Sequence, residues 1–452
     1  MRKLIGLVWM VPFVVGAAIP ANVTTETGSR LACGENVRNF TLTAKVVSEK
    51  DAEARLAFHS DGALKGYQIL FRNGAIDGSR KTGSLAHVRN LYHSQVADGQ
   101  PYDFELSVRE KNIEVKVAGQ TVVRYTEPAK PWRLPAYAQQ LLSRGDFVFQ
   151  GVKGQVKFTD VKLAPLADGV LNPADTMPPV DEQTDRAIRK QQIDFPVIDY
   201  HVHLKGGLTK ELAHAMSLNY GINYGVCPNV GEGGVGRMFR SNEEALDYLE
   251  EEVKTYPFMC GAQGEGRKWP HEFRKDVLLR FDYMFTDSMT IVDNHEALRV
   301  YRKEEFRLNG RSYEEWMDFL VDQIVKILTN EPVDHYANAT YLPPEMNTDY
   351  DKYWTDERVN RVLDVLAKNN VALEISARYR IPSARVIKMA KARGIKFTFG
   401  TNNGDADFGR LEYALDMVDE CGLTAEDMWF PTMSIRARRD FIPYNTFRRR
   451  ED

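Results

Sequence analysis

The sequence predicts two domains of different class: an all-β sandwich of jelly-roll type, then an α/β domain on a mainly parallel sheet. Three observations predict it. Residues 35–166 carry short runs of period-two alternation, residues 194–440 alternate apolar strand runs with helix-period runs, and a polar, Pro-containing stretch at 167–193 separates them. The 452 residues are too many for one ordinary domain, and 43% hydrophobic residues suffice for real cores. A net charge of −4 with nearly balanced acids and bases argues against a nucleic-acid binder, and Arg448-Arg449-Arg450 reads as a solvated tail.

In chain order, Arg2-Lys3, the apolar run Leu4–Ala18 and small residues through Ala21 have the layout of a secretory signal peptide over residues 1–21. The run is too short and Pro-broken for a comfortable membrane span. Cys33, Cys227, Cys260 and Cys421 are scattered, which is neither a disulfide framework nor a CxxC metal site. Export with few cysteines points to a periplasmic or secreted protein of the bacterial envelope, held by packing.

Eight strands are expected in the first domain: Phe40–Val47, Ala54–His59, Tyr67–Arg72, Tyr102–Arg109, Ile113–Val117, Thr121–Tyr125, Phe147–Gln150 and Val156–Leu163. Turn signals such as Asp61-Gly62, Asn73-Gly74 and Ala118-Gly119 separate them. Many short strands with such turns indicate a sandwich. Gly66-Tyr67-Gln68-Ile69, Thr82-Gly83-Ser84-Leu85, Tyr102–Val108, Ile113–Gly119 and Phe149-Gln150-Gly151 through Leu163 follow the order of motifs in the 3-keto-disaccharide hydrolase domain family, which this half resembles. The resemblance implies a concanavalin-like sandwich that binds sugars on a concave sheet face. Tyr67, Gln68, Arg72 and His93 are the sugar-binding candidates. An ordinary cross-strand Tyr67 and a solvated Arg72 are the competing interpretation. No close pair of carboxylates stands out as a glycosidase acid and base.

Beyond the linker, Thr355 or Asp356 caps a helix with Val359, Val362, Leu363 and Leu366 inward, and Val371–Ile375 follows as a buried strand. Ser383 starts the next helix, Gly394 stops it, and Ile395–Phe399 is another strand before a helix through Leu411, Leu415 and Val418. Regular βα alternation implies a parallel sheet, open or closed into a barrel.

The chemistry is expected at strand ends. Asp199-Tyr200-His201-Val202-His203 follows the apolar run Phe195–Ile198, so His201 and His203 project to one face of a strand end. In a barrel that face is the active-site mouth. This half resembles the polymerase-and-histidinol-phosphatase (PHP) superfamily, a distorted (βα) barrel of metal-dependent phosphoesterases. The resemblance rests on the His-x-His motif, on Leu373-Glu374-Ile375-Ser376 with Arg380-Ile381-Pro382-Ser383, and on Lys396 through Asn402 to Asp405. It implies His201, His203, Glu265, Glu374 and Asp405 as metal ligands, with His203, Glu374 and Asp405 catalytic. Nitrogen and oxygen donors without thiolate suit Zn²⁺, Mn²⁺ or Fe²⁺.

The departures count as well. Val226-Cys227-Pro228-Asn229 and Thr286-Asp287-Ser288-Met289 replace segments that carry His in the family, and no histidine follows His335. A full trinuclear site is therefore not expected. A single-ion site and a decayed, metal-free barrel both remain open. Lys205, Arg237, Arg267, Arg378 and Arg380 lie near these motifs and suit a small-molecule or oligosaccharide substrate bearing an anionic group. Three functions follow: an exported hydrolase using metal-activated water in the barrel with sugar held by the sandwich; glycoside hydrolysis or lyase chemistry in the sandwich beside a degenerate barrel; or a non-catalytic carbohydrate-binding protein.

Overall fold

The structure is a computed structural model that describes residues 18–62, 65–169, 181–231, 238–239, 241–249, 253–406 and 409–433. The leader core and Arg448–Arg450 lie outside the described residues. Among the described residues no helix is long and apolar enough to cross a membrane. The chain divides into two compact units, Met1–Ile193 and Asp194–Asp452.

The first unit is a two-sheet antiparallel sandwich. One sheet runs β1 (Val23–Thr25), β10 (Val156–Pro165), β3 (Phe40–Ser48), β6 (Tyr102–Arg109), β7 (Asn112–Val117), β8 (Gln120–Thr126). The other runs β2 (Arg30–Val37), β9 (Gly145–Lys153), β4 (Glu53–Ser60), β5 (Tyr67–Phe71). Alternation sets the faces: along β3, Phe40, Leu42, Ala44 and Val46 point into the core while Thr41, Thr43 and Lys45 do not. Leu56, Phe58, Ile69, Phe71, Phe104, Phe149 and Phe158 fill the space between the sheets.

Two boundaries differ from expectation. The sandwich begins with β1 and β2 rather than at residue 35; β2 (RLACGENV) lacks an alternating β-branched pattern and holds its place by pairing with β9. Residues at the end of the expected linker form helix α1 (Glu182–Gln192), capped by Asp181, whose carboxylate accepts the Thr184 amide at 2.8 Å. α1 belongs to the sandwich unit: Ile188 joins the core, the Asn90 amide donates to Gln191 Oε1 at 2.7 Å, and the Leu134 amide donates to Gln192 Oε1 at 2.7 Å.

The second unit is a closed parallel barrel of seven strands. Around the barrel run β11 (Ile198–Val202), β12 (Asn223–Val226), β15 (Met259–Glu265), β16 (Tyr283–Thr286), β19 (His335–Tyr336), β20 (Ala372–Ser376) and β21 (Phe397–Gly400), which pairs back onto β11. β13 (Asn229–Gly231), just past Cys227-Pro228, takes over from β12 beside the upper half of β15 and carries β14 (Met238–Phe239). β17 (Thr290–Asp293) and β18 (Glu296–Arg299) follow β16 in the chain and form a separate antiparallel hairpin. Helices alternate with the strands: α2 (Lys210–Tyr220), α3 (Asn242–Tyr248), α4 (Trp269–Glu272), α5 (Lys275–Leu278), α6 (Tyr313–Asn330), α7 (Tyr350–Tyr353), α8 (Asp356–Asn369), α9 (Ala384–Ala392) and α10 (Glu412–Glu420). α8 follows the expected signals: Thr355 caps it, Val359, Val362, Leu363 and Leu366 are buried, and Asn370 ends it in the left-handed region. Every residue of β11, β15, β16, β20 and β21 is buried, as strands enclosed on both faces must be.

Candidate active site

The C-terminal ends of the barrel strands gather the polar residues, as strand polarity dictates. His201 lies on β11 with His203 just past it, and Glu374 lies on β20; all three are buried. His201 Nδ1 donates to Glu374 Oε2 at 2.7 Å, and the Asn338 amide donates to Glu374 Oε1 at 3.1 Å. His203 Nδ1 donates to the Cys227 carbonyl at 2.7 Å. Gly400 makes room for this packing: a Cβ there would fall 2.3 Å from Glu374 Oε2. Asp199 fastens β11 to β21 by accepting from the Thr401 hydroxyl at 2.6 Å and the His201 amide at 3.0 Å. Burial raises the Asp199 pKa to about 6 against these bonds.

With both Nδ1 atoms engaged, the two Nε2 atoms face each other at 3.2 Å. Burial, and then Lys205 and His201, hold the His203 pKa well below that of a free imidazole. One proton shared between the rings, or a cation bound to both, satisfies a contact this short. Two imidazole nitrogens on one tetrahedral zinc, each at ~2.0–2.1 Å, stand about 3.3 Å apart. The pair therefore fits two ligands of one ion, with Glu374 and the Cys227 carbonyl orienting the rings from behind. Among the described residues no group of three or more His, Cys, Asp or Glu side chains is arranged to hold a metal.

Glu265 stands at the end of β15 and belongs to an adjoining amide-linked cluster. Gln263 Nε2 donates to Glu265 Oε1 at 3.0 Å and to Asp287 Oδ2 at 3.2 Å. Asn338 Nδ2 donates to Asp287 Oδ2 at 2.9 Å, and Asn402 Nδ2 donates to Asn338 Oδ1 at 3.1 Å. Burial, then the Asp287 charge, push the Glu265 pKa up to about 8, and Glu265 Oε2 is buried with no hydrogen-bond partner. Asp405 lies elsewhere: it is exposed on the loop after β21, its Cα packed over Gly206, where a Cβ would fall 2.6 Å away. The sequence-predicted ligand set thus splits into a touching trio (His201, His203, Glu374), a neighbouring acid (Glu265) and an exposed rim residue (Asp405).

The basic candidates also divide. Lys205 is half-buried beside the pair, its pKa lowered by burial, with Cys227, Arg378, Glu265 and Asp287 as its charged or titratable neighbours. Arg378 is exposed; its Nη1 donates to the Asn402 carbonyl at 2.8 Å and its guanidinium lies over Tyr379 at 5.2 Å. Arg267 is consumed internally by Glu331 at 3.1 Å and the Asp287 carbonyl at 3.1 Å. Arg380 lies over the Tyr413 ring at 4.9 Å, and Arg237 lies outside the described residues. Lys205 and Arg378 therefore remain as a pair of cations at the mouth.

In the sandwich, Tyr67 is a correction. It is fully buried, stacks on Phe58 at 5.6 Å, and its hydroxyl hydrogen-bonds Glu127 while accepting from Arg133 Nη2 at 2.8 Å. Alternation along β5 sends Tyr67 inward and Gln68 outward, so a residue flagged for its ring became core. Arg72 is paired with Glu53 at 3.4 Å and Asp77 at 2.9 Å, and His93 is half-buried.

Sequence reading missed Gln263, Asp287, Asn338, Asn402, Asn403 and the Cys227 carbonyl. Amides carry no motif of their own. The usable signal was position: each stands at or just after a barrel strand. Asn403 shows the point, since its Oδ1 accepts the His203 amide at 2.8 Å and its Nδ2 donates to the His203 carbonyl at 2.8 Å.

The 3-keto-alpha-glucoside-1,2-lyase-like domain family model matches residues 10–164, about a third of the chain. No curated protein matches. Among solved structures, a candidate glycosyl hydrolase from Parabacteroides distasonis is 15% identical, covers 32% of this chain and 81% of its own, and has a TM-score of 0.29. The histidinol phosphate phosphatase of Lactococcus lactis, solved with zinc, L-histidinol and phosphate, is 14% identical, covers 51% of this chain and 95% of its own, and has a TM-score of 0.39. The carbohydrate-binding module CBM66 of Bacillus subtilis is 10% identical, covers 34% of this chain and 99% of its own, and has a TM-score of 0.23. Likenesses this weak carry no activity. The chain joins a sandwich that matches the 3-keto-alpha-glucoside-1,2-lyase-like domain model to a seven-stranded parallel barrel.

Proposed function

We propose that this protein is an exported hydrolase of PHP type. Its barrel uses one divalent ion held by His201 and His203, and its sandwich binds carbohydrate. The observation that carries the reading is the pair of buried Nε2 atoms facing each other at 3.2 Å, each oriented by a bond on its far side. An ion bound there supplies Lewis acidity, polarising a substrate oxygen and acidifying water. Zn²⁺, Mn²⁺ and Fe²⁺ suit imidazole with oxygen donors. Glu374 orients His201, Lys205 and Arg378 receive an anionic group of the substrate, and buried side chains behind the pair exclude water. Glu265, in the adjoining cluster, is the acid we propose to complete the shell. Metal analysis of the purified protein, with His201→Ala as control, tests the reading. About one ion per chain, lost in the variant, supports it; no ion in either protein, after growth and dialysis with Zn²⁺, Mn²⁺ or Fe²⁺, sinks it.

A second reading places the chemistry in the sandwich, as cleavage of a glycoside at an oxidised sugar. The family model over residues 10–164 favours it. Turnover of a keto-glycoside that survives His203→Ala would move catalysis there.

A further inference from the structure

The outer face of the four-stranded sheet has a construction that the family match does not explain. Strand register sets Arg30, Gln150, Arg55 and Leu70 side by side across β2, β9, β4 and β5. Two residues further along, it sets Ala32, Val148, Ala57 and Gln68 side by side. The row between them, Leu31, Phe149, Leu56 and Ile69, packs in the core, so both flanking rows point outward. Ala32, Ala57 and Val148 form a small buried cluster separate from the core. Half-buried Arg30, Arg55, Gln68 and Gln150 stand around that floor of short side chains. The sheet continues sideways: the Ala86 amide donates to the Gln68 carbonyl at 2.9 Å, and the next residue, His87, turns out of line with φ +66°. Its ring stacks on Tyr137 at 4.0 Å. Arg80 Nη1 lies 2.9 Å from His87 Nδ1, and burial first, then Arg80 and Arg55, lower the His87 pKa to about 3.

Arg72 is taken up by Glu53 and Asp77. Among the described residues the acid that Arg55 reaches is the shared Glu53, at 3.5 Å, and Arg55 Nε has no hydrogen-bond partner. A buried guanidinium N–H without an acceptor is costly, and a planar oxyanion is the acceptor its fork matches best. Two carboxamides beside it match sugar hydroxyls, and a flat aromatic pair matches the C–H face of a pyranose.

We propose that this face binds a carbohydrate bearing a carboxylate, with Arg55 gripping the carboxylate and Gln68 and Gln150 meeting hydroxyls. The proposal rests on the reading of the sandwich as carbohydrate-binding and names the ligand class. Calorimetry on the full chain tests it with three probes of equal length: a tetragalacturonate, a neutral galactotetraose and a sulfated galactotetraose. The tetragalacturonate is expected to bind at least tenfold tighter than the neutral sugar. Arg55→Gln is expected to remove that preference and leave neutral-sugar affinity within about threefold. Arg30→Gln provides a second arm if the first variant melts early, and is expected to weaken the preference. Equal affinity for acidic and neutral sugars, or a preference that survives both variants, overturns this inference while the carbohydrate reading stands. Sulfated sugar bound as tightly as uronate overturns the carboxylate assignment. No binding of any probe overturns both.

Discussion

The sandwich and the barrel dispose of their polar side chains in opposite ways. In the sandwich, period-two alternation sends polar groups out, and its core is a continuous apolar cluster of both sheets. In the barrel the strands are buried on both faces, and polar groups collect inside, at the strand ends: His201, His203, Gln263, Glu265, Asp287, Asn338 and Glu374 are all buried. A buried polar network is tolerated only when its members are paired. Within this set the Nε2 atoms of His201 and His203 meet each other at 3.2 Å, and Glu265 Oε2 is the atom left without a partner among the described residues. The difference teaches where to look for chemistry: in the sandwich on an outer face, in the barrel at the mouth.

The largest expected effect breaks the barrel side of the comparison. His203→Ala removes a donor itself, and should lower metal affinity and metal-dependent turnover by more than 100-fold. Glu374→Gln keeps the shape but weakens the support of His201, and should cost about 10–100-fold, the usual range for an orienting partner. Equilibrium dialysis against Zn²⁺ measures both. Equal losses would make Glu374 a direct ligand.

The next effect sharpens the role of unpaired burial. Glu265 holds its proton to about pH 8 in the folded chain, against an ordinary value of 4.5. A raised carboxyl pKa means the folded state binds more protons than the unfolded state across that window, so stability falls as pH rises from about 4.5 toward 8. Urea midpoints in chelator should drop between pH 5 and 8.5 in the wild type and change less in Glu265→Gln. Added divalent ion should oppose the wild-type loss. Identical slopes in the two proteins would remove Glu265 from the account.

How much of this was legible follows from the same contrast. The strands of the sandwich were readable because alternation marks both strand and face. Its ends were not: β2 has no such pattern, and α1 is polar overall and takes its place through Ile188 and two glutamines. In the barrel, helix caps such as Thr355 and Asn370 and the His-x-His strand end were readable, because each is a local rule. Glu374 was expected beside those histidines through the family resemblance. The amides around them were not: Asn403 bonds His203 from 200 residues along the chain, and Asn338 bonds Glu374 from 36. Asp405 misled for the opposite reason, since closeness in sequence to a strand end does not aim a side chain inward. Tyr67 misled because an aromatic at alternating spacing serves core and ligand face equally well.

A third prediction returns to the sandwich. Tyr67→Phe deletes a buried hydroxyl that serves both Glu127 and Arg133, and should cost about 1–3 kcal/mol, the penalty for stranding buried polar partners. Arg72→Ala removes half-exposed ion pairs and should cost no more than about 1 kcal/mol. Denaturant melts compare them. A smaller loss for Tyr67→Phe than for Arg72→Ala would mean that solvent reaches the Tyr67 cluster.

The smallest effect has the opposite sign. His335 is fully buried in the barrel core, stacked on Phe285 at 4.6 Å with the rings 12° from parallel, and edged by Tyr283 and Trp429. Neither ring nitrogen has a hydrogen-bond partner among the described residues. Burial holds its pKa well below that of a free imidazole, so the ring sits there as a neutral aromatic. Each stranded nitrogen costs on the order of 1–3 kcal/mol. Phenylalanine keeps the stack and removes both nitrogens, but its larger ring gives back ~1–3 kcal/mol in a filled core. The net expectation for His335→Phe is stabilisation of about 1 kcal/mol, read from the urea midpoint, with metal content unchanged because His335 supplies no donor to the His201–His203 pair. Destabilisation together with loss of metal would show that His335 supports the site from below, and that the boundary between aromatic core and polar mouth lies one layer deeper than the hydrogen bonds indicate.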